Sequence, residues 1–492
     1  MAAQCAFLAC LACVYANKEP RLLISDPVAL DYVLHKREDI HPKARLATYS
    51  LRKIMGQGLI ASEGETHRRQ RRAIQPGFSV QCIKNIAPVF THNAAHLAQC
   101  IDTHIEKSER HCALVDIHAL ASSAAMDALG EAALGLEFGA LAAAHAEMDG
   151  KMKSTHPLHQ ALERSLAIAT SSSLLLTVVS AAAMFFPVLE HLPIGINSPE
   201  FNRATGVLDA VATDVVDLAK KDVLGATDTF HVADKGKRHS AERPDLLAFL
   251  VRANRSAASG EKKRSVRQDA TLTDPEMIGQ VSTFIFAGHE TTSTQITWLL
   301  FQLARHPRAQ QKLRDAICAA RVAHGLAARP DGSADDRPLT VDELAEVPYL
   351  DWCIRESLRL NGASKYMLTV HTTSRVAAEH NVMPLSDGRR IPIAKGTLIV
   401  VPINSISRDP ALWGVDAHCF VPERWSTPPK GAQVFPRLGG IAFLQGPRAC
   451  IGSAFGTPLL TQPMRKCAHS SGPSFQSSRL NVMGALSCRS DG

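Results

Sequence analysis

Apolar and polar positions along this chain follow two periods. Residues 22–34 (LLISDPVALDYVL) begin as a short apolar run and change to helical spacing at Asp26–Pro27. That pattern predicts a strand and then a helix with proline in its first turn, where a missing N–H costs no hydrogen bond. Residues 64–79 (GETHRRQRRAIQPGFS) predict a basic helix ended by Pro76–Gly77, and residues 84–147 keep helical spacing with Ala-rich faces around Met126 to Gly130. Residues 225–272 are polar and charged apart from an apolar helix at Leu246 to Val251, with a loop expected over 256–270. Thr273 and Glu276 have the spacing of a capping box, and Pro275 sits in the first turn. A long apolar helix is expected from there to about Ala304, and His306–Pro307 opens the next one. A loop over 322–338, one helix over Val341 to Leu360 and a strand over Gly396 to Pro402 follow, and a coil-rich stretch leads toward the C-terminus. Helices dominate the first two thirds, so the fold class is mainly α with a small β part.

Composition narrows this picture. A chain of 492 residues has room for about three domains, yet no Pro/Gly/Ser linker separates independent apolar patterns, and one large domain is expected. Hydrophobic residues make up 46%, enough for a large core and too many for a disordered chain. Lys plus Arg number 54 against 47 Asp plus Glu, an excess of seven. That mild basic balance suits an acidic protein partner or anionic lipid, and no aromatic–basic stripe argues for nucleic acid. Of the twelve cysteines, Cys10 and Cys13 alone stand at C-x-x-C spacing; with no second pair the usual zinc pattern is missing, and reduced thiols are expected. Residues 1–17 carry no charge but are shorter than the roughly 20 residues a membrane span needs. The uncharged stretch 165–189 is long enough, but its serines and Pro187 predict a partly exposed helix pair.

Candidate chemistry lies in four places. In FLQGPRACIG, Phe443 to Gly452, glycines flank Cys450, and Arg448 stands two residues before it. Glycine allows a tight turn and close approach to a flat group, and arginine pairs with an anion on it. Thiolate, close backbone and cation together suggest a haem held by sulfur. In AGHETT, Ala287 to Thr292, a polar pair interrupts the long apolar helix. Gly288 leaves room beside that helix, and Thr291 can bond back to a carbonyl one turn earlier and open it locally. In ESLR, the three-residue spacing puts Glu356 and Arg359 on one helix face. The basic run His67 to Arg72 is the fourth; within it Arg68 and Arg69 read as a solvated face.

These segments together resemble the cytochrome P450 family, of the eukaryotic, fungal type. Phe443, Gly446, Arg448, Cys450 and Gly452 fit its F-x-x-G-x-R-x-C-x-G haem loop, and Ala287 to Thr291 fit its A-G-x-[DE]-T motif. ESLR is followed by PERW, Pro422 to Trp425, which resembles the family's second structural motif. The resemblance covers roughly residues 20 to 456 and implies the cytochrome P450 fold and a haem whose axial ligand is the Cys450 thiolate. It implies that Glu290 and Thr291 hand protons to the dioxygen being reduced, and that Glu356, Arg359 and Arg424 hold the cysteine loop. His67 and Arg71 fall on W-x-x-x-R, which binds a haem propionate, with histidine where the family has tryptophan; Arg375 falls near a position that reaches the other propionate. The implied activity is insertion of one oxygen atom into a small lipophilic substrate, in secondary metabolism. Its electrons would come from NADPH through a flavoprotein reductase, at the cytosolic face of the endoplasmic reticulum membrane. Two alternatives stay open: a haem-thiolate isomerase or dehydratase working without a reductase, and a non-catalytic product of a damaged gene. The chain is expected to keep only a remnant of an N-terminal apolar segment in residues 1–19. Its tail, 457–492, departs from the family's helix after the cysteine.

Overall fold

Two separate stretches of chain build the β part. In the computed structural model, which describes residues 10–14, 20–107, 115–148, 157–170, 195–223, 245–258, 271–326, 339–362, 373–427, 429–435, 439–453 and 455, the strands β1 (Cys10–Val14) and β2 (Pro20–Ile24) pair antiparallel. Strands β3 (Thr373–Val376), β4 (Asn381–Pro384), β5 (Arg390–Ile393) and β6 (Leu398–Val401) come from the C-terminal third. β6 pairs parallel with β2, Leu22 facing Ile399, and antiparallel with β3, giving the order β1-β2-β6-β3. β4 and β5 form a separate hairpin. Each strand is four or five residues long, so stability comes from the apolar cluster beneath, which joins Ile24, Leu34, Ile399, Val401, Trp413 and Phe435.

The helices follow the hydrophobic pattern closely. α1 (Pro27–Asp31) is capped by Asp26, whose carboxylate accepts from the Val28 and Ala29 amides, and it continues into a π turn at Tyr32–Lys36. α2 (Arg45–Met55), α3 (Gly64–Ile74), α4 (Val80–Glu106), α5 (Ile117–Leu129), α6 (Ala140–Met148), α7 (Pro157–Thr170), α8 (Pro199–Val223) and α9 (Leu246–Ala258) form the N-terminal helical body. α10 (Asp274–Arg305) starts with the expected capping box at Thr273 and Glu276. α11 (Pro307–Ala323), α12 (Val341–Ala345) and α13 (Pro348–Leu360) follow. The single helix expected over Val341 to Leu360 is therefore two. Val347 precedes a proline, is driven from helical geometry (φ −103°, ψ 88°), and Pro348 restarts the helix at its first turn. The apolar helix expected over Leu246 to Val251 runs on to Ala258, which takes in the start of the loop expected over 256–270.

The Ala-rich helix α5 lies directly on α10. Ala121, Ala124, Ala125 and Ala128 are buried, and their small side chains let the two axes approach. Gly288 belongs to this contact: a Cβ there would stand 2.8 Å from Leu129 Cδ1. The space expected beside Gly288 is thus filled by Leu129. Among the described residues no helix is long and apolar enough to cross a membrane. Of the sequence readings, the uncharged stretch beyond Thr170, most of the loops over 256–270 and 322–338, and the tail 457–492 lie outside the described residues.

Candidate haem site

The cysteine loop leaves the sheet side of the molecule and folds on itself. Cys450 N donates to Phe443 O at 2.9 Å, and Ala449 N to Gly446 O at 3.1 Å. Leu444 is held at φ 55°, and Gly446 at φ 71°. Backbone strain of this kind at a non-glycine residue persists only where surrounding contacts fix it. Gly446 is required by the protein rather than by a flat ligand: a Cβ there would collide with Leu34 O in the π turn after α1. Gly452 is the glycine beside the sulfur, since a Cβ there would sit 3.9 Å from Cys450 Sγ. Cys450 itself is exposed.

Arg448 bonds within the protein through each of its three side-chain nitrogens. Its Nε donates to Glu38 at 2.7 Å, Nη1 to Ser62 O at 2.8 Å, and Nη2 to Glu63 at 2.5 Å. Its charge is met by two carboxylates, Glu38 and Glu63. Arg71 of α3 ties the same loop to the helical body by donating to Ala449 O at 2.6 Å.

His67 and Arg375 stand differently. His67 is 3% exposed, and its Nδ1 is buried with no hydrogen-bond partner among the described residues. Burial, with the charges of Arg448, Lys43 and Arg71 nearby, pushes its pKa down to about 3, so the ring is neutral. Arg375 is also 3% exposed and, among the described residues, donates to Thr373 Oγ1 (2.9 Å) and Ser374 O (2.8 Å). Burial and the neighbouring Arg448 lower its pKa to about 10. Lys43, paired with Glu63 at 3.0 Å, is lowered to about 8, chiefly by burial. A buried ring nitrogen with no described partner, and a buried guanidinium with no described carboxylate against it, are both expensive. An incoming carboxylate would relieve the guanidinium, and also His67 in the tautomer that carries its proton on Nδ1, so these residues fit a group with propionate arms.

The trio expected at Glu356, Arg359 and Arg424 forms one buried network. Glu356 of α13 is completely buried, and Arg359 binds it at 2.9 and 2.7 Å. Arg424 Nε donates to Glu356 at 3.2 Å, and the Val421 amide and Trp425 Nε1 complete the shell at 3.1 and 3.0 Å. Arg359 uses its remaining donors on Ser407 O, Ala417 O and Cys419 O. Arg424 continues to Asp416 at 2.7 Å, which the sequence reading missed.

On α10, Thr291 Oγ1 donates to Ala287 O at 2.6 Å, as expected. The helix stays continuous through this point, so the expected local opening does not occur. Glu290 is half-buried beside His118 of α5, with 3.8 Å between Oε1 and Nε2. Arg68 pairs with Glu65 on the surface, whereas Arg69 is not a solvated cation: it forms a bidentate pair with Glu276 and also reaches Thr271 O.

A model of the cytochrome P450 family matches residues 10–464. This chain belongs to the cytochrome P450 family. Similar curated proteins include "Cytochrome P450 monooxygenase 205" and "Cytochrome P450 monooxygenase 91" of Postia placenta, each 32% identical over 88% of this chain and over 74% and 75% of their own lengths. "Cytochrome P450 monooxygenase claP" of Ampulloclitocybe clavipes is 28% identical over 88% of the chain and 74% of its own length. Cytochromes P450 are oxidoreductases that incorporate oxygen from dioxygen, and their cofactor is a haem held by a cysteine thiolate. The mainly α fold with a small sheet part is the one the family implies. Among the described residues no cluster of His, Cys, Asp and Glu offers a separate metal site.

Proposed function

We propose that this cytochrome P450 inserts one oxygen atom into a small lipophilic substrate, with electrons from NADPH delivered by a flavoprotein reductase. Cys450 supplies the axial thiolate, and His67 and Arg375 receive the propionates, with Arg71 bracing the loop and the helix together. The haem, once bound, supplies the oxygen-activating chemistry. The chain's own residues do the rest. Glu290 and Thr291 hold and pass protons from the α10 side, with Thr291 oriented by its bond to Ala287 O. Glu356, Arg359 and Arg424 keep the cysteine loop at its height. Phe443, Gly446 and Gly452 shape the backbone around the sulfur. The enzyme works at a membrane surface on the cytosolic face of the endoplasmic reticulum, a placement taken from the family.

The observation that carries this reading is the convergence on one loop of an exposed thiol and, beside it, the buried donors His67 Nδ1 and Arg375. The test is the carbon-monoxide difference spectrum of the reduced protein. Wild type should show the thiolate-shifted Soret band, and Cys450→Ala should lose it. A band retained in the variant would remove the assignment. NADPH consumption with a reductase and stoichiometric product then separates a monooxygenase from a reductase-independent isomerase.

A further inference from the structure

Segment 56–63, between α2 and α3, connects the cysteine loop to α10. At its α3 end, Arg448 donates to Ser62 O at 2.8 Å and pairs with Glu63. Nearer its start, the Leu59 amide donates to Gln280 Oε1 on α10 at 3.0 Å. Gln70 of α3 fills the space between. Its amide nitrogen donates to Gln57 O (2.9 Å) and Glu276 (3.1 Å), and its oxygen accepts from Ser62 Oγ and Gln280 Nε2, both at 3.1 Å. Gln70 and Gln280 are each 0% exposed. Backbone meets backbone where Gly58 crosses Gly279. A Cβ on residue 279 would lie 2.8 Å from the Gln57 carbonyl carbon, and one on residue 58 would collide with the Thr283 hydroxyl and Gly279 O.

We propose that segment 56–63 is a fixed strap that closes one edge of the haem site, with Gln280 as the residue that positions it, so that substrate enters and leaves by another edge. The proposal rests on the haem-thiolate reading of the site. Segments that open for ligands are drawn from the least stable parts of a protein, with few buried bonds. This one is the reverse. Lifting it would cost Gln70 its bonds to Gln57 O and Ser62 and leave the buried Gln280 Oε1 without its Leu59 partner, and a buried hydrogen bond left unmade is heavily penalised. The two glycines leave no gap through which a side chain could lever the segment away. The strap also fixes the height of α10, and with it Glu290 and Thr291, relative to the loop that carries Cys450.

Hydrogen exchange on the haem-loaded protein, alone and saturated with the bulky imidazole clotrimazole, decides the matter. The Leu59 amide should exchange at least about a thousandfold more slowly than an unstructured amide, and clotrimazole should change that rate by less than about twofold. In Gln280→Leu, Leu59 should exchange at least about tenfold faster while amides in α8 keep their rates, which a general loss of stability would not allow. The same variant should keep the thiolate-shifted band yet release haem to apomyoglobin about tenfold faster. Near-random exchange of Leu59 in wild type, or a change above about tenfold on adding clotrimazole, would overturn the proposal and make 56–63 a gate. The wild-type comparison decides even if the variant does not fold. A wild type lacking the thiolate band would sink the functional reading, and with it the strap's place at a haem edge, while slow exchange of Leu59 would still show segment 56–63 fixed against α10.

Discussion

At the scale of single residues, the site combines groups whose hydrogen bonds are complete with groups whose bonds are not. Arg359 and Glu356 are saturated by protein partners, and Arg448 bonds through each of its three nitrogens. The Nδ1 of His67 has no partner among the described residues. Replacing His67 by Phe keeps much of the ring volume and removes the donor, which should weaken haem retention by about one to two orders of magnitude, the worth of a hydrogen bond to a charged group. The measurement is the rate of haem transfer to apomyoglobin, and an unchanged rate would show that His67 makes no propionate contact. Thr291→Ala should leave haem binding intact and lower product formed per NADPH by about tenfold or more, with hydrogen peroxide making up the difference. Product coupling equal to wild type would refute the proton role. At this scale the sequence was readable wherever a residue's partner lies nearby in the chain. The capping box at Thr273 and the Thr291 bond to Ala287 are such cases. It was unreadable at Arg69, whose partner Glu276 is 207 positions away.

At the scale of elements, α13 and the PERW turn are joined through one carboxylate. Glu356 lies in the interior with Arg359 on its own helix and Arg424 from 68 positions further on. Removing Arg359 leaves the buried Glu356 only partly compensated by Arg424, at a cost up to about 3–5 kcal/mol, whereas the intact pair adds little net stability. Arg359→Ala should therefore yield protein largely without haem, measured as Soret absorbance per unit of protein. A normal holoprotein yield would show that the network is not needed to hold the loop. Trp413 packs on the Arg359 guanidinium at 5.2 Å and on Trp425 at 5.6 Å, so the network is also walled by aromatic rings. The helical pattern foretold α3, α10 and α13, because the 3.6-residue period is a property of each segment alone. It missed the break before Pro348, because the apolar spacing on the two sides continues in phase across it.

At the scale of the whole molecule, α3 and α10 are bound through Arg69, Gln70, Glu276 and Gln280, and this has a consequence in acid. Burial alone would raise the Glu276 carboxyl, but bonds from Arg69, the Thr273 amide and Gln70, with the Arg69 charge, outweigh it and hold the pKa at about 2, against 4.5 ordinarily. A carboxylate lowered on folding contributes stability that is complete above its ordinary pKa and is lost as pH falls toward its folded value. The loss should fall between about pH 4.5 and 2 and be on the order of 3 kcal/mol, since its side chain is only 5% exposed. Urea midpoints at pH 6 and pH 3 should differ more for wild type than for Glu276→Gln, and equal differences would exclude Glu276 as a source of acid sensitivity. By itself, the sequence determined the helical class, most helix starts and the residue types able to bind and serve a haem, because caps, periodicity and short motifs act over a few neighbouring positions. Only the tertiary structure decided which cations are already neutralised, that Gly288 and Gly446 make room for Leu129 and Leu34 rather than for a ligand, and that Gln70 and Gln280 meet. Each of those depends on a partner brought close by packing of distant segments, and no local pattern carries the address of a residue two hundred positions away.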